Sequence, residues 1–182
     1  MSSFYCEKCN ALCSDTPTGY VTGCEHHPPN ADSRSENVIA TLLLEVRWYA
    51  RSLVMLSAEQ NIKVILLSGL RTYAQQNELY AQGRTKPGRI VTKSRGGSSN
   101  HNFGIAFDVG VFEGKKYLPE SPNYAKVGVI GQCLGLEWGG GWKAFKDMPH
   151  FQLRPKWAKG MAEKEMLAIL RYREKDGAPV YV

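Results

Sequence analysis

Outside its N-terminal segment the 182-residue chain carries only two histidines, His101 and His150, and each has a carboxylate at an informative spacing. Asp108 follows His101 by seven residues, and Asp147 precedes His150 by three, across the turn-forming Met148-Pro149. Neutral imidazole and carboxylate are zinc ligands, and a catalytic zinc keeps three protein ligands and an open position for water. His101, Asp108 and His150 supply such a set. Asp147 is then left over as a base beside the activated water. The same residues have ordinary readings, as satisfied histidines and as solvated or turn-capping carboxylates. Spacing by itself leaves both open.

A second constellation lies in the first 30 residues, which hold four of the five cysteines and the other two histidines. Cys6-x-x-Cys9 is half of a zinc knuckle and Cys24-x-x-His27 the other half, separated by the turn-rich residues 10–23. Four such ligands around a structural Zn²⁺ would staple a segment too short to fold by burial. Cys13 and His26 compete as ligands, and an unstructured reduced leader is the other reading. Cys133, among Val129, Ile130, Leu134 and Leu136, reads as a small buried apolar residue.

The elements that must position these groups begin at about residue 30, so the chain divides into a Cys/His-rich segment, 1–30, and a globular domain, 31–182. Ser33 or Ser35 caps an expected helix whose apolar positions Val38, Leu42, Val46, Tyr49 and Leu53 recur at helical spacing. Ile62 to Leu67 reads as a strand, and Thr72 to Gln82 as a helix. Residues 83–100, rich in Gly, Ser and basic side chains, read as a mobile exposed loop. Phe103 to Val111 alternates as a strand does, with Ile105, Phe107 and Val109 on one side and Asp108 on the other. A helix over Asn123 to Leu134, a Gly-rich turn at 139–141, a strand over His150 to Leu153 and a closing helix over Trp157 to Tyr172 complete the expected order. Few short strands interleaved with helices indicate α+β.

Hydrophobic residues make up 43% and charged residues 22%, which excludes wholesale disorder and a multi-span membrane protein. The longest apolar runs fall far short of the ~20 residues that cross a bilayer. The first residues lack the basic start and apolar run of a secretory signal. The expectation is a soluble chain made in the cytoplasm without a signal peptide. A net charge of +6 suits anionic partners without naming one.

Ser99 to Asp108 (SNHNFGIAFD) matches the pattern S-x-H-x-x-G-x-A-x-D, and Asp147-Met148-Pro149-His150 matches the accompanying acidic-x-x-H element. Together they resemble the zinc peptidases of peptidoglycan stem peptides, the group of D-Ala-D-Ala dipeptidases and L-alanyl-D-glutamate endopeptidases. Ser68 to Thr72 (SGLRT) is similar to the group's S-G-x-R element. Leu79 to Thr85 and Gly135 to Gly140 resemble the L-alanyl-D-glutamate branch, which includes many phage endolysins. Where that branch often carries Asp after two glycines, this chain has Gly141. The resemblance covers about residues 36–155.

The resemblance implies a fold of the Hedgehog/DD-peptidase type, a small antiparallel sheet flanked by helices. It implies one catalytic Zn²⁺ on His101, Asp108 and His150, Asp147 as proton carrier, and Arg71 as the charge facing the polarised carbonyl oxygen. Arg71, Ser99 and Trp138 are the expected substrate-binding residues, although aromatics beside a Gly-rich turn, Trp138, Trp142 and Phe145 here, are also ordinary core residues. Glu137 is a rival base that falls in a non-catalytic part of the pattern. The expected function is zinc-dependent hydrolysis of stem peptides at L-alanyl-D-glutamate by a monomeric phage or prophage endolysin. It would act on the cell wall after holin-dependent release, and no nucleic-acid partner is expected. The alternatives are a D-alanyl-D-alanine carboxypeptidase or dipeptidase of the same mechanism, and a non-catalytic zinc-containing wall-binding module.

Overall fold

A computed structural model describes residues 30–143 and 145–182, and within the N-terminal segment only the backbone of three short strands. Those strands, β1 (Ser3–Tyr5), β2 (Leu12–Thr16) and β3 (Gly19–Val21), pair as an antiparallel meander. Cys6, Cys9, Cys24, His26 and His27 lie outside the described residues.

The globular part opens with α1 (Ser33–Ile39) and α2 (Leu44–Glu59), where the sequence periodicity predicts one continuous helix. The N-cap is Asp32, whose side chain accepts from the backbone N–H groups of Arg34 and Ser35. The break follows Ala40: Thr41 Oγ1 donates back to the Val38 carbonyl at 2.7 Å, and Leu43 N–H bonds the carbonyl of Gly104 at 3.1 Å. A tertiary partner, absent from local sequence, therefore ends the helix. Both helices keep one apolar face, so Ile39, Val46, Ala50 and Leu53 still reach the core.

The sheet that carries the site has the order β4 (Lys63–Ser68), β5 (Ala106–Glu113), β8 (His150–Gln152) and β7 (Glu137–Trp138), with β6 (Lys116–Tyr117) paired to the far end of β5. All its pairings are antiparallel. Strand alternation sends Val64 and Leu66, Phe107 and Val109, and Phe151 to one face. There they pack against α2 and against Tyr124 and Val127 of α4 (Asn123–Leu134). Ser35, buried in the first turn of α1, accepts the backbone N–H of Leu66 at 3.0 Å and ties that helix to the edge strand.

β5 starts three residues later than the sequence alternation predicts. Asn100–Phe103 form a 3₁₀ turn, and Gly104, at φ +66°, reverses the chain before the strand begins. The closing helix is also shorter at its start: Lys156–Ala158 are a 3₁₀ turn, and α5 runs Glu163–Asp176 after Gly160 at φ +82°. Met166, Leu167 and Leu170 of α5 form a second cluster with Phe103 and Ile105, directly behind the 3₁₀ turn. Cys133 is exposed, not buried: α4 buries the face carrying Tyr124, Val127, Gly128 and Gly131, and Cys133 falls on the other side. No helix among the described residues is long and apolar enough to cross a membrane.

Candidate metal centre and cleft

Three strands place one residue each in a row: Ser68 of β4 lies opposite Asp108 of β5, which lies opposite His150 of β8. A register irregularity between Leu66 and Ser68 brings Ser68 to this position. Since Phe107 and Val109 point into the core, Asp108 points to the other face, as does His150, whose neighbour Phe151 is fully buried. His101 enters the same face from the 3₁₀ turn. Its Nδ1 donates to the Gly69 carbonyl at 2.7 Å, so its Nε2 is the atom left for a ligand. Gly69 has to be glycine, because a Cβ there would sit 2.5 Å from Thr41 Oγ1 and 3.0 Å from the Val38 carbonyl oxygen.

His101 Nε2, Asp108 Oδ1 and His150 Nδ1 form a nearly equilateral triangle. The sides are 3.2 Å from His101 to Asp108, 3.3 Å from His150 to Asp108 and 3.3 Å between the two histidines. Ligands about 2.0–2.1 Å from a tetrahedral zinc are spaced about 3.3–3.4 Å apart, so the donor set fits that ion in type and spacing. The triangle also explains the charges. Burial alone would raise the Asp108 carboxyl, yet His101 and His150 hold it well below the usual carboxylate range. Burial opposes charge on His150, but its contact with Asp108 raises its pKa.

Arg71 reaches this group from the turn before α3 (Tyr73–Ala81). Its Nη2 donates to Asp108 Oδ2, its Nε to Ser68 Oγ at 2.9 Å and its Nη1 to Gln76 Oε1 at 3.3 Å. Three of the five guanidinium N–H groups are thus fixed by protein, leaving two for a substrate oxygen. Asp147 is half-buried and lines the same cleft as Arg71. Burial, and then the neighbouring Asp108 charge, raise its carboxyl above the ordinary value. Gly139 makes room for Asp147 and His150, since a Cβ there would meet the Asp147 carbonyl oxygen at 2.6 Å and the His150 Cβ at 3.0 Å.

The cleft has a volume of about 470 Å³, and Ser99, Lys93, Trp142 and Phe145 line it together with Arg71, Asp147 and the three donors. Lys93 Nζ lies 4.9 Å from the Phe145 ring centroid, so the basic loop and the Trp142–Phe145 arm meet across the opening. That loop is exposed, as the composition predicts, but it is tied down. Buried Gln76 donates to the Ser94 carbonyl at 2.9 Å, Arg84 to the Thr92 carbonyl at 3.1 Å, and Gly96 N–H to Asn77 at 2.8 Å.

One expectation of the sequence, Trp138 as a substrate-binding residue, is placed elsewhere, and the rival base Glu137 is otherwise engaged. Trp138 does not line the cleft: it stacks over Gly128 and Gly140, and its Nε1 donates to the Met148 carbonyl at 2.9 Å. It supports the cleft wall from behind, and Trp142, whose ring lies 5.0 Å from that of His150, takes the facing position. Glu137 is committed to Gln152 and Arg154 and is not available as a base. Gln76 and Gln152 are polar residues that the sequence analysis did not single out. Period-two spacing from His150 places Gln152 on the ligand face and was the available signal.

Comparison with known proteins follows the same residues. A family model described as D-alanyl-D-alanine carboxypeptidase matches residues 92–153, the segment that holds all three donors. The peptidoglycan L-alanyl-D-glutamate endopeptidase CwlK of Bacillus subtilis is 38% identical over 122 residues, covering 60% of this chain and 72% of the relative. The chain belongs to the zinc peptidases of the D-Ala-D-Ala dipeptidase and L-alanyl-D-glutamate endopeptidase group. An L-alanyl-D-glutamate peptidase of Listeria phage A118 is 30% identical over 127 residues, covering 68% of this chain and 42% of the relative. The crystal structure of the Serratia marcescens L-Ala D-Glu endopeptidase ChiX superposes with a TM-score of 0.53 at 26% identity, covering 73% of this chain and 94% of that one. The small antiparallel sheet with flanking helices is the fold of this group, and the chain is a metallopeptidase.

Proposed function

We propose that residues 31–182 form a zinc endopeptidase that hydrolyses the L-alanyl-D-glutamate bond of peptidoglycan stem peptides. The observation that carries this reading is the 3.2–3.3 Å donor triangle with Asp147 and Arg71 lining the same cleft. His101 Nε2, Asp108 Oδ1 and His150 Nδ1 would hold one Zn²⁺, which when bound acidifies a water to a pKa of about 7 and polarises the scissile carbonyl. Asp147, its carboxyl raised by burial, accepts a proton from the attacking water and delivers it to the departing amine of D-glutamate. A C–O bond forms, the amide C–N bond breaks, and the proton ends on the amine. The two uncommitted N–H groups of Arg71 face the oxygen that gains charge. Ser99 and Trp142 on the cleft wall contact the peptide.

The likeness to the phage relative supports the setting we propose, a phage or prophage endolysin made in the cytoplasm and acting as a monomer on the wall after holin-dependent release. A structural Zn²⁺ on Cys6, Cys9, Cys24 and His27 is proposed for the N-terminal segment. Two zinc ions per intact chain, falling to one in the Cys6→Ser/Cys9→Ser variant, is the expected stoichiometry.

Digestion of purified muropeptides followed by mass spectrometry tests the activity. The expected products are stem peptides shortened by L-alanine and carrying a new D-glutamate amine. Cleavage at D-Ala-D-Ala would keep the mechanism and replace the specificity. Intact stem peptides with zinc-loaded protein would end the proposal.

A further inference from the structure

On the Nε2 side of His150 a polar network, buried at Gln152 and Asn100 and open to solvent at its glutamates, joins β7 and β8 to the 3₁₀ turn and α5. His150 Nε2 is 2.9 Å from Gln152 Oε1, and Gln152 is 1% exposed. Gln152 Nε2 donates to Glu137 Oε2 at 2.6 Å across the β7–β8 pair. Asn100 Nδ2 donates to both Gln152 Oε1 and Glu163 Oε1. Arg154 closes the set, with Nε on Glu137 and Nη2 on Glu163 at 2.5 Å.

The orientation of every member follows from chemistry. Arg154 only donates, and the two carboxylates paired with it only accept. Glu163 therefore requires the NH₂ of Asn100, and Glu137 requires the NH₂ of Gln152. Turning the Gln152 amide over would set oxygen against the Glu137 carboxylate and NH₂ against the NH₂ of Asn100. Its carbonyl oxygen is thus held toward His150, and a carbonyl oxygen accepts only a proton-bearing nitrogen. His150 must carry its proton on Nε2, which leaves the Nδ1 lone pair on the triangle.

We infer that Gln152, clamped between Glu137 and Asn100, is a positioning residue that fixes the Nε2–H tautomer and ring orientation of His150 and so presents Nδ1 to the metal. This rests on the reading of His150 as a ligand. His101 is set by a backbone carbonyl, that of Gly69, whereas His150 depends on five side chains drawn from the 3₁₀ turn, β7, β8, the segment after it and α5. Outer-shell partners of this kind change metal affinity by roughly 10–100-fold when removed.

The test uses the full chain, zinc affinity by chelator competition and ¹⁵N NMR of the histidine rings in the zinc-loaded protein. Wild type is expected to show His150 with a slowly exchanging proton on Nε2. Gln152→Leu, similar in volume but unable to accept, is expected to bind cleft zinc ~10–100-fold more weakly and to lose that protected proton. In Gln152→Glu the new carboxylate opposes Glu137 and affinity falls. Adding Glu137→Gln restores every donor–acceptor pair, and affinity is expected to return to within a few-fold of wild type. If Gln152→Leu does not fold, Glu137→Gln alone is read by the same criteria: a changed His150 ring signal supports the inference and an unchanged one overturns it. Unchanged affinity and an unchanged Nε2 proton in folded Gln152→Leu would also overturn it. His150→Ala separates the two readings. If it keeps the cleft zinc, the ligand assignment fails; if it loses the zinc while Gln152→Leu keeps it, only the relay fails.

Discussion

Asp147 and Asp108 are both aspartates beside the same two histidines, yet their surroundings drive them in opposite directions. Asp108 lies 3.2–3.3 Å from both imidazoles and accepts from Arg71, and these neighbours hold its carboxyl well below the usual carboxylate range, in the form that can bind a cation. Asp147 has burial and the Asp108 charge against it, which suits a group that must take up a proton and release it again. Asp147→Asn keeps the shape and removes the base. Turnover on muropeptides is expected to fall ~10²–10⁴-fold while cleft zinc content stays at one per chain. The same substitution has a consequence for stability, and its sign is fixed by linkage. A carboxyl whose folded pKa lies above its unfolded value binds more protons folded than unfolded between those two values, so stability falls as pH rises through that window. The metal-free Asp147→Asn protein, which does not pay that cost, is expected to be more resistant to urea than metal-free wild type at neutral pH. The gain should shrink with zinc bound, because the cation then favours the charge on Asp147. Equal urea midpoints for the two metal-free proteins at pH 7 would contradict this.

At the scale of elements, the site is a meeting of short pieces, and their legibility differs for physical reasons. The three donors that the structure brings together, His101, Asp108 and His150, were legible through the motifs that carry the resemblance, since spacing alone left them open. Each motif sits on a local element: the 3₁₀ turn before Gly104, the polar side of β5 and the start of β8. The α1–α2 break was not readable, because its cause is the carbonyl of Gly104, about sixty residues away in the chain. Trp138 was misplaced for a related reason: its ring fills the space over Gly128 of α4, a contact that depends on how β7 and α4 pack. The same packing set Cys133 outside. The engagement of Glu137, the rival base, with Gln152 and Arg154 appears only once β7 and β8 are paired. The turn between β4 and α3 is the element on which most depends, since Gly69 passes within reach of α1 and its carbonyl orients His101. Gly69→Ala forces a Cβ against Thr41 and the Val38 carbonyl, an overpacking that costs about 1–3 kcal/mol. Moving that turn also moves the acceptor of His101 Nδ1. Urea denaturation and chelator competition are therefore expected to show stability and zinc affinity falling together, whereas a cost confined to packing would leave affinity unchanged.

Across the whole molecule the donors come from two hydrophobic clusters that meet at Leu43 and Tyr181. β5 and His150 belong to the sheet backed by α2 and α4, while His101 rides on the 3₁₀ turn that packs, through Phe103, on the separate α5 cluster. A metal held by all three would bridge the two clusters, and it would bind the folded chain far better than the unfolded one, in which residues 101 and 150 are far apart. By mass action, free zinc at about 1,000 times its Kd would then add about 4 kcal/mol to the folded state. For a domain of this size each kcal/mol shifts the melting temperature by roughly 2–4 °C, so chelation is expected to lower it by roughly 8–16 °C. His101→Ala serves as the control, since it removes the donor from the α5 side and leaves the sheet pair Asp108–His150 intact. Its melting temperature should respond little to zinc in the range that stabilises wild type. A wild-type zinc response retained in full by His101→Ala in the Cys6→Ser/Cys9→Ser background would show that the bridge is not what zinc stabilises.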